Sequence, residues 1–331
     1  MWKEKFYEDY FADLNEKRNK SSDFILKEEI PKSLFKYIKV DYALKVLEDD
    51  FLKASDALTS NDPFEGELLY DSELLLESFS DDLLIKVLEN EEFNLSEKEK
   101  SLILQDTNPL HRLIYILYHN YLENNDEFSF QEFKTDFLNK YNEFQNYAVK
   151  NFNDELKKQL IFVCLSELNN IIPMWAHYAN NHEGLCIEYN IFNLDDGFLE
   201  ECCFPMLYVE KSDFTDDLNY FHDSNRNKLK ILEEPFLKKS IDWKYEKEWR
   251  ILFNKIKLKM SSEVIDCSHL IKKSDGLYFI KFPKPTSVYL GLNISEENKN
   301  KIKNICLKRN IAIFKMIKDN SSYNLSFKPI Q

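Results

Sequence analysis

Two glutamates one residue apart, Glu246 and Glu248, stand in the run Trp243–Arg250 (WKYEKEWR), the densest grouping of chemically capable side chains in the chain. If a strand starts inside this run, Glu246, Glu248 and Arg250 share one face, and Tyr245, Lys247 and Trp249 share the other. The two carboxylates then stand about 6.5–7 Å apart, from the rise per residue of a strand. Such a pair suits a reaction through a cationic, sugar-like transition state. One carboxylate hydrogen-bonds a ribose hydroxyl and stabilises the developing charge, while the other orients or deprotonates the nucleophile. The structural reading of the same residues is a polar strand face on which Glu248 and Arg250 form an ion pair.

Two further segments carry polar groups. Asn61-Asp62-Pro63-Phe64-Glu65-Gly66 is turn chemistry, because Asn and Asp side chains cap backbone amides and proline fixes the following φ. It also puts two carboxylates, Asp62 and Glu65, on a loop, where sites tend to be built. Between Val163 and Tyr189, Pro173 is expected to open a helix carrying Trp175, His177 and Tyr178, and Gly184 to allow a tight turn into a strand with Glu188. A histidine among aromatics is more often a packed core residue than a catalyst. His177 and His182 lie five apart with no third ligand at useful spacing, so no metal site is assigned.

The glycines remove other chemistries. The five (Gly66, Gly184, Gly197, Gly276, Gly291) are scattered, whereas a P-loop or a GxGxxG fingerprint needs them clustered where backbone meets phosphate. GxSxG and HExxH are absent as well. With 331 residues, 44% hydrophobic and 15% aromatic, the chain can bury one large core or two smaller ones. None of its six cysteines makes a CxxC pair, and no apolar run reaches the roughly 20 residues of a membrane helix, so a reduced, cytoplasmic protein with no membrane partner is expected. The net charge of −14 hides an asymmetry: residues 1–225 carry −26 and residues 226–331 carry +12. The simplest reading is mutual attraction within one fold; the basic third is also the part suited to a phosphate-bearing ligand.

Residue periodicity indicates an α+β fold: a mixed or antiparallel sheet with surrounding helices and a helical insertion. An amphipathic helix is expected over 1–20, a strand over 34–40, a helix over 41–50 capped by Asp41, and an extended piece over 51–55. Residues 67–160 read as an acidic helical block. Strands are expected at 161–166, 185–189, 206–210, 249–253, 278–282, 288–291, 311–317 and 323–327, and helices at 173–180, 227–242 and 295–309. The organisation that follows is 1–66 as the first helix, strand and turn of the core, 67–160 as the insertion, and 161–331 as the main core.

The order of FKYI at 35–38, NDPFE at 61–65, CLSE at 164–167, MWAHYA at 174–179, HEGLCIEY at 182–189 and KSIDWKYEKEWR at 239–250 resembles the bacterial domain-of-unknown-function 2971 family, over residues 34–292. The resemblance implies that Asn61, Asp62, Glu65, Trp175, His177, Tyr178, Glu188, Tyr245, Glu246, Glu248 and Arg250 belong to one pocket, and it carries an association with phage defence or toxin-like effectors. The layout is also similar to small ADP-ribosyltransferase folds, which bind NAD without a glycine-rich loop. That likeness implies an effector using NAD as substrate, with Glu248 on the nicotinamide ribose and Glu246 orienting the acceptor. His177 and Asp62 complete the catalytic set. Tyr37, Tyr178 or Trp175 would stack on nicotinamide, Asn61 would assist binding, and Lys36, Arg250 or Lys239 would meet the pyrophosphate. The expected partners are a small nucleotide and a protein or nucleic-acid acceptor. The alternatives are a nuclease holding Mg²⁺ on Asp62, Glu65, Glu188, Glu246 and Glu248, with Lys239 or Lys247 at the phosphate, and a non-enzymatic sensing module.

Overall fold

Alternating apolar residues in the second half of the chain form a sheet with two unlike faces. The computed structural model describes residues 2–12, 20–69, 84–85, 87–122, 129–191, 198–210, 233–255 and 271–330. In chain order, helices α1 (Trp2–Ala12) and α2 (Lys20–Glu29) precede strand β1 (Leu34–Ile38), helix α3 (Val40–Asp49) and strand β2 (Phe51–Lys53). Helices α4 (Glu97–Leu104), α5 (Pro109–Tyr121) and α6 (Phe130–Gln159) lead into β3 (Leu160–Ser166), the short helix α7 (Ile172–His177) and β4 (Leu185–Tyr189). Then come α8 (Phe198–Glu201), β5 (Cys203–Pro205), β6 (Leu207–Val209), β7 (Lys238–Ser240) and β8 (Glu248–Asn254). Strands β9 (Ile271–Ser274), β10 (Leu277–Lys281) and β11 (Ser287–Leu290), helix α9 (Glu296–Arg309), and strands β12 (Ala312–Lys318) and β13 (Leu325–Pro329) complete the order.

The fold is α+β. Eight strands form a mixed sheet in the order β13-β12-β11-β4-β1-β3-β8-β5, with a three-stranded sheet β2-β10-β9 and a parallel pair β6-β7 beside it in the topology. The chain divides into two compact units, Met1–Glu67 with Leu156–Lys211 and Arg226–Gln331, and Leu68–Glu155 with Ser212–Asn225. The second contains the acidic helical stretch; Ile103, Leu113, Ile116 and Leu117 pack with Leu84 and Val87 in a core of its own. Among the described residues, no helix is long and apolar enough to cross a membrane.

In the first unit, Leu34, Ile38, Val163, Leu165, Leu185, Ile187, Trp249 and Ile251 belong to the main core, together with Ala43, Val46 and Leu47 of α3 and Ile302 and Cys306 of α9. The period of two sends their neighbours Phe35, Tyr37, Cys164, Cys186, Glu248 and Arg250 to the opposite face. Registers across the sheet agree, with Phe35 opposite Ser166, Tyr37 opposite Cys186 and Cys164 opposite Arg250. There Tyr37, Met174, Trp175, Cys186 and Tyr289 make a smaller apolar cluster.

Several local expectations are corrected. Helix α3 starts at Val40, with Lys39 rather than Asp41 in the cap position. Of the helix expected over 1–20, Trp2–Ala12 is helical, and residues 13–19 lie outside the described residues. Of the helix expected at 227–242, residues 227–232 also lie outside them, and the remainder is a one-turn helix (Glu234–Phe236), β7 and the start of a second tight helix, Ile241–Glu246. Pro235 sits in the first turn there, and Lys238–Ser240 pairs with β6, so extended pairing overrides local helical preference. The last strand begins at Leu325 because Asp319 accepts bonds from the Ser321 amide and from the Ser321 and Ser322 hydroxyls, which holds the preceding turn.

Gly184 does not serve the turn by a left-handed backbone; Asn180, Asn181 and His182 take the positive φ values. It serves close approach, since a Cβ there would meet the Ile38 carbonyl oxygen at 2.3 Å and that of Ala179 at 2.9 Å. We expect Gly184→Ala to destabilise the fold by about 1–3 kcal/mol, the range for overpacking. An unchanged denaturation midpoint would show that β1 and β4 tolerate the extra methyl.

Candidate functional site

The central sheet opens between β1 and β3. These strands pair only where Phe35 meets Ser166, whereas β1 pairs with β4 over five residues and β3 with β8 over seven. Lower on β3, Phe162 is taken instead by Ser55, which follows β2: the Ser55 amide donates to the Phe162 carbonyl and the Phe162 amide to that of Ser55. Between these closures the strands part. Lys36 reaches into the gap and donates to the Cys164 carbonyl at 2.9 Å. A cavity of about 390 Å³ occupies this opening, walled by Lys36, Tyr37 and Lys39 on one side and by Phe162, Cys164 and Leu165 on the other. Ser55, Thr59, Ser60, Asn61 and Glu65 line it from the loop after β2, His177 and Tyr178 from the end of α7, and Lys239, Glu246, Glu248 and Arg250 from below.

Its floor is a connected set of charges. Arg250, with no exposed surface, grips Glu65 through both terminal nitrogens (2.5 and 2.8 Å), Glu248 through Nε (2.7 Å) and the Phe236 carbonyl (2.7 Å). Its guanidinium also lies over the Phe162 ring, 4.5 Å from the centroid. Lys239 donates to Glu246 (2.6 Å) and Glu248 (3.1 Å) and lies over Trp243. The Tyr178 hydroxyl donates to Glu246 at 2.6 Å and accepts from the exposed Asn61 amide at 3.2 Å, which links the floor to the rim. Gly66 makes the loop's approach feasible: its φ is +65°, and a Cβ there would meet the Phe236 ring at 2.6 Å.

Three buried carboxylates, Glu65, Glu246 and Glu248, share two buried cations, Arg250 and Lys239, so the cluster carries one negative charge in excess when all are ionised. Burial works against charge on Glu248, but Arg250 and Lys239 overcome it and hold that carboxyl well below the usual range. Glu246 goes the other way: burial, then repulsion from Glu248, raises its pKa against the pull of Lys239. Lys239 is held protonated, because Glu248 and Glu246 outweigh its burial. Burial pushes the Cys164 thiol up, so it is a neutral donor to Glu248 rather than a nucleophile.

The structure brings together Lys36, Tyr37, Asn61, His177, Tyr178, Lys239, Glu246, Glu248 and Arg250 around one cavity. Several placements differ from expectation. Glu246 ends the tight helix Ile241–Glu246, Lys247 turns the chain with φ of +48°, and β8 begins at Glu248, so the two acids are not on one strand face. They meet because Lys239 binds both. Asp62 is buried in turn chemistry, accepting from the Phe64 amide at 2.9 Å, and does not line the cavity. Trp175 is wholly buried, bonds the Asn169 carbonyl, and packs edge-on to Tyr37, so it offers no stacking face. Tyr37 bonds the Leu168 carbonyl and the Ile171 amide, which pins the loop before α7. Arg250 and Lys239 are committed to carboxylates, which leaves Lys36 and the exposed Lys39 as the other cations lining the cavity. Glu188 bonds the Tyr289 hydroxyl and does not line the cavity. Among the described residues, no group of three or more His, Cys, Asp or Glu side chains is placed to hold a metal ion.

Sequence reading missed Lys39, Ser55, Thr59, Ser60, Phe162, Cys164, Leu165 and Met174 as lining residues. It also missed Tyr208, whose hydroxyl accepts from the Glu248 amide at 2.7 Å. Two signals were available: Thr59 and Ser60 immediately precede the NDPFE run, and Cys164, Leu165 and Met174 stand inside the CLSE and MWAHYA motifs.

Residues 174–251 match the model of the family described as Protein of unknown function (DUF2971), a narrower span than the motif resemblance. It runs from α7 to β8 and so covers His177, Tyr178, Lys239, Glu246, Glu248 and Arg250, but not Lys36, Asn61 or Glu65. No curated protein and no solved structure matches the chain.

Arg250→Met leaves Glu65 buried without its counter-charge and Glu248 with Lys239 alone, and is expected to cost about 3–5 kcal/mol. Adding Glu65→Gln should recover part of that loss in chemical denaturation; equal, additive losses would mean that the pair is not coupled. The raised pKa of Glu246 means the folded state holds its proton more tightly than the unfolded chain. Its contribution is therefore full below the ordinary glutamate value and is lost as pH rises through the raised folded one. Glu246→Gln should flatten this fall in unfolding free energy above about pH 4.5; identical pH profiles for the two proteins would contradict the assignment.

Proposed function

We propose that this protein uses NAD, breaking the bond between nicotinamide and ribose and passing the ADP-ribosyl group to water or to an acceptor hydroxyl, amine or acid. The observation that carries this reading is the buried excess of one carboxylate at the floor of the cavity. The C–N bond breaks with its electron pair going to the nicotinamide ring nitrogen, so neutral nicotinamide departs and positive charge develops on the ribose. A fixed anion is worth most where water is excluded and its partners are already oriented. Glu248, held ionised by Arg250 and Lys239, supplies that anion.

Glu246 suits the proton. Its raised pKa brings it nearer neutrality, where a general base is most effective, and each carboxylate oxygen has a second lone pair beyond those that receive Tyr178 and Lys239. As the nucleophile adds to the ribose carbon, its proton passes to Glu246. His177, exposed at the rim, stands where the acceptor enters, and Tyr178 offers a ring beside Glu246. Lys36 and Lys39 would meet the pyrophosphate. At about 390 Å³ the cavity lies at the small end of the ~300–1,000 Å³ range of ligand sites, which suits the nicotinamide–ribose end with the rest of the dinucleotide along the rim. A role as a defence or toxin-like effector, which the motif resemblance suggests, is part of this proposal.

The test is nicotinamide release from NAD by the purified protein, followed chromatographically. Glu248→Gln and Glu246→Gln should each lower the rate by about 10²–10³-fold, the usual effect of removing one preorganised electrostatic group. No release by the wild-type protein, with or without added candidate acceptors, would end this reading.

A further inference from the structure

Outside the cavity, the face of the three-stranded sheet β2-β10-β9 is unlike the rest of this acidic molecule. Its strands read FLK, IKKS and LYFIK and contain four lysines and no aspartate or glutamate. The register places Phe279 opposite both Lys53 and Lys272, and Lys281 opposite Phe51. These five residues therefore share one face with Leu277. The other face carries Leu52 and Ile280, both fully buried against the core. On the outer face Lys53, Lys272 and Lys281 are exposed, Leu277 is 40% exposed and Phe279 is half-buried. Lys272 and Lys281 lie over the Phe51 ring, at 3.5 and 5.3 Å from its centroid. Among the described residues none of the three lysines is paired with a carboxylate, in contrast to Lys239 and Lys157, which are.

Cations with no acid beside them repel one another and are stabilised by an external polyanion. A protein of net charge −14 that keeps such a patch on one sheet has it where a phosphate chain can approach locally. The spacing adds a second feature. An aromatic ring flanked by cross-strand lysines on an open sheet face offers a base a surface to stack on while the cations track the backbone. The geometry points to this face as a binding surface for single-stranded nucleic acid, with Lys53, Lys272 and Lys281 on phosphates and Phe279 against a base. The chain leaving β2 reaches Ser55, which lines the cavity, two residues beyond the strand's end, so the face lies next to that opening along the chain. The surface stands on its own residues and does not depend on the proposed chemistry.

Fluorescence anisotropy with labelled 12-mers of deoxythymidine and of uridine tests it in the full-length protein. The expected result is binding that weakens with salt, with a slope near −2 in log K against log salt, from about −0.7 per phosphate contact. Lys53→Gln, Lys272→Gln and Lys281→Gln together should remove most of that slope, and Phe279→Ala should weaken binding about five- to a hundredfold with little change in slope. The lysine changes are at exposed positions and Phe279 is half-buried, and far-UV circular dichroism checks the fold of each variant. Two comparisons need no variant. Polyglutamate of matching charge competing as well as the oligonucleotide overturns the inference, because a mere polyanion site would not need the ring. A duplex binding as tightly as the single strand overturns it too, and so does no binding of either oligonucleotide at low salt.

Discussion

Arg250 has no contact with water, so everything its guanidinium needs must come from protein. It obtains this from three places: Glu65 in the distant loop after β2, Glu248 on its own strand, and the Phe236 carbonyl before β7. An unpaired buried cation would be prohibitively costly, so these segments have to converge wherever the fold forms at all. The loop, β8 and the chain before β7 are thereby tied to a common point, and the cavity is the space left above it. Both the shape of the site and its electrostatics follow from this one constraint.

The same constraint explains why two chemically identical carboxyls behave differently. Glu248 lies between the two cations and stays ionised, while Glu246 is further from Arg250, shares Lys239, and is the group on which the missing positive charge is felt. Environment divides them into a carboxylate that stays ionised and one that holds its proton more tightly. Tyr178 and Asn61 then connect Glu246 to the exposed rim.

The charge asymmetry along the chain takes on two meanings in three dimensions. Some of the basic third is consumed internally, as with Lys239, Arg250 and Arg309, the last of these paired with Asp50. Another part is left outward on the β2-β10-β9 face, where the strands supply no acid to neutralise it. Sequence counting cannot separate these, because pairing depends on which strands become neighbours.

Much of the frame was nonetheless legible. The strands expected at 34–40, 161–166, 185–189 and 249–253 are found at Leu34–Ile38, Leu160–Ser166, Leu185–Tyr189 and Glu248–Asn254, since alternation follows directly from strand geometry. The run from Trp243 to Arg250 marked the polar floor, because acids beside aromatics and arginine are hard to place elsewhere in a core. Side chains at odds with their surroundings were not legible: Trp175 and Asp62 look like ligand contacts by type, but one fills a core and the other a turn. By itself, the sequence determined which residues alternate into the sheet and which charged residues must find partners. Only the tertiary structure decided who those partners are and that β1 and β3 part to leave a cavity, because pairing across two hundred residues is set by packing and desolvation rather than by local pattern.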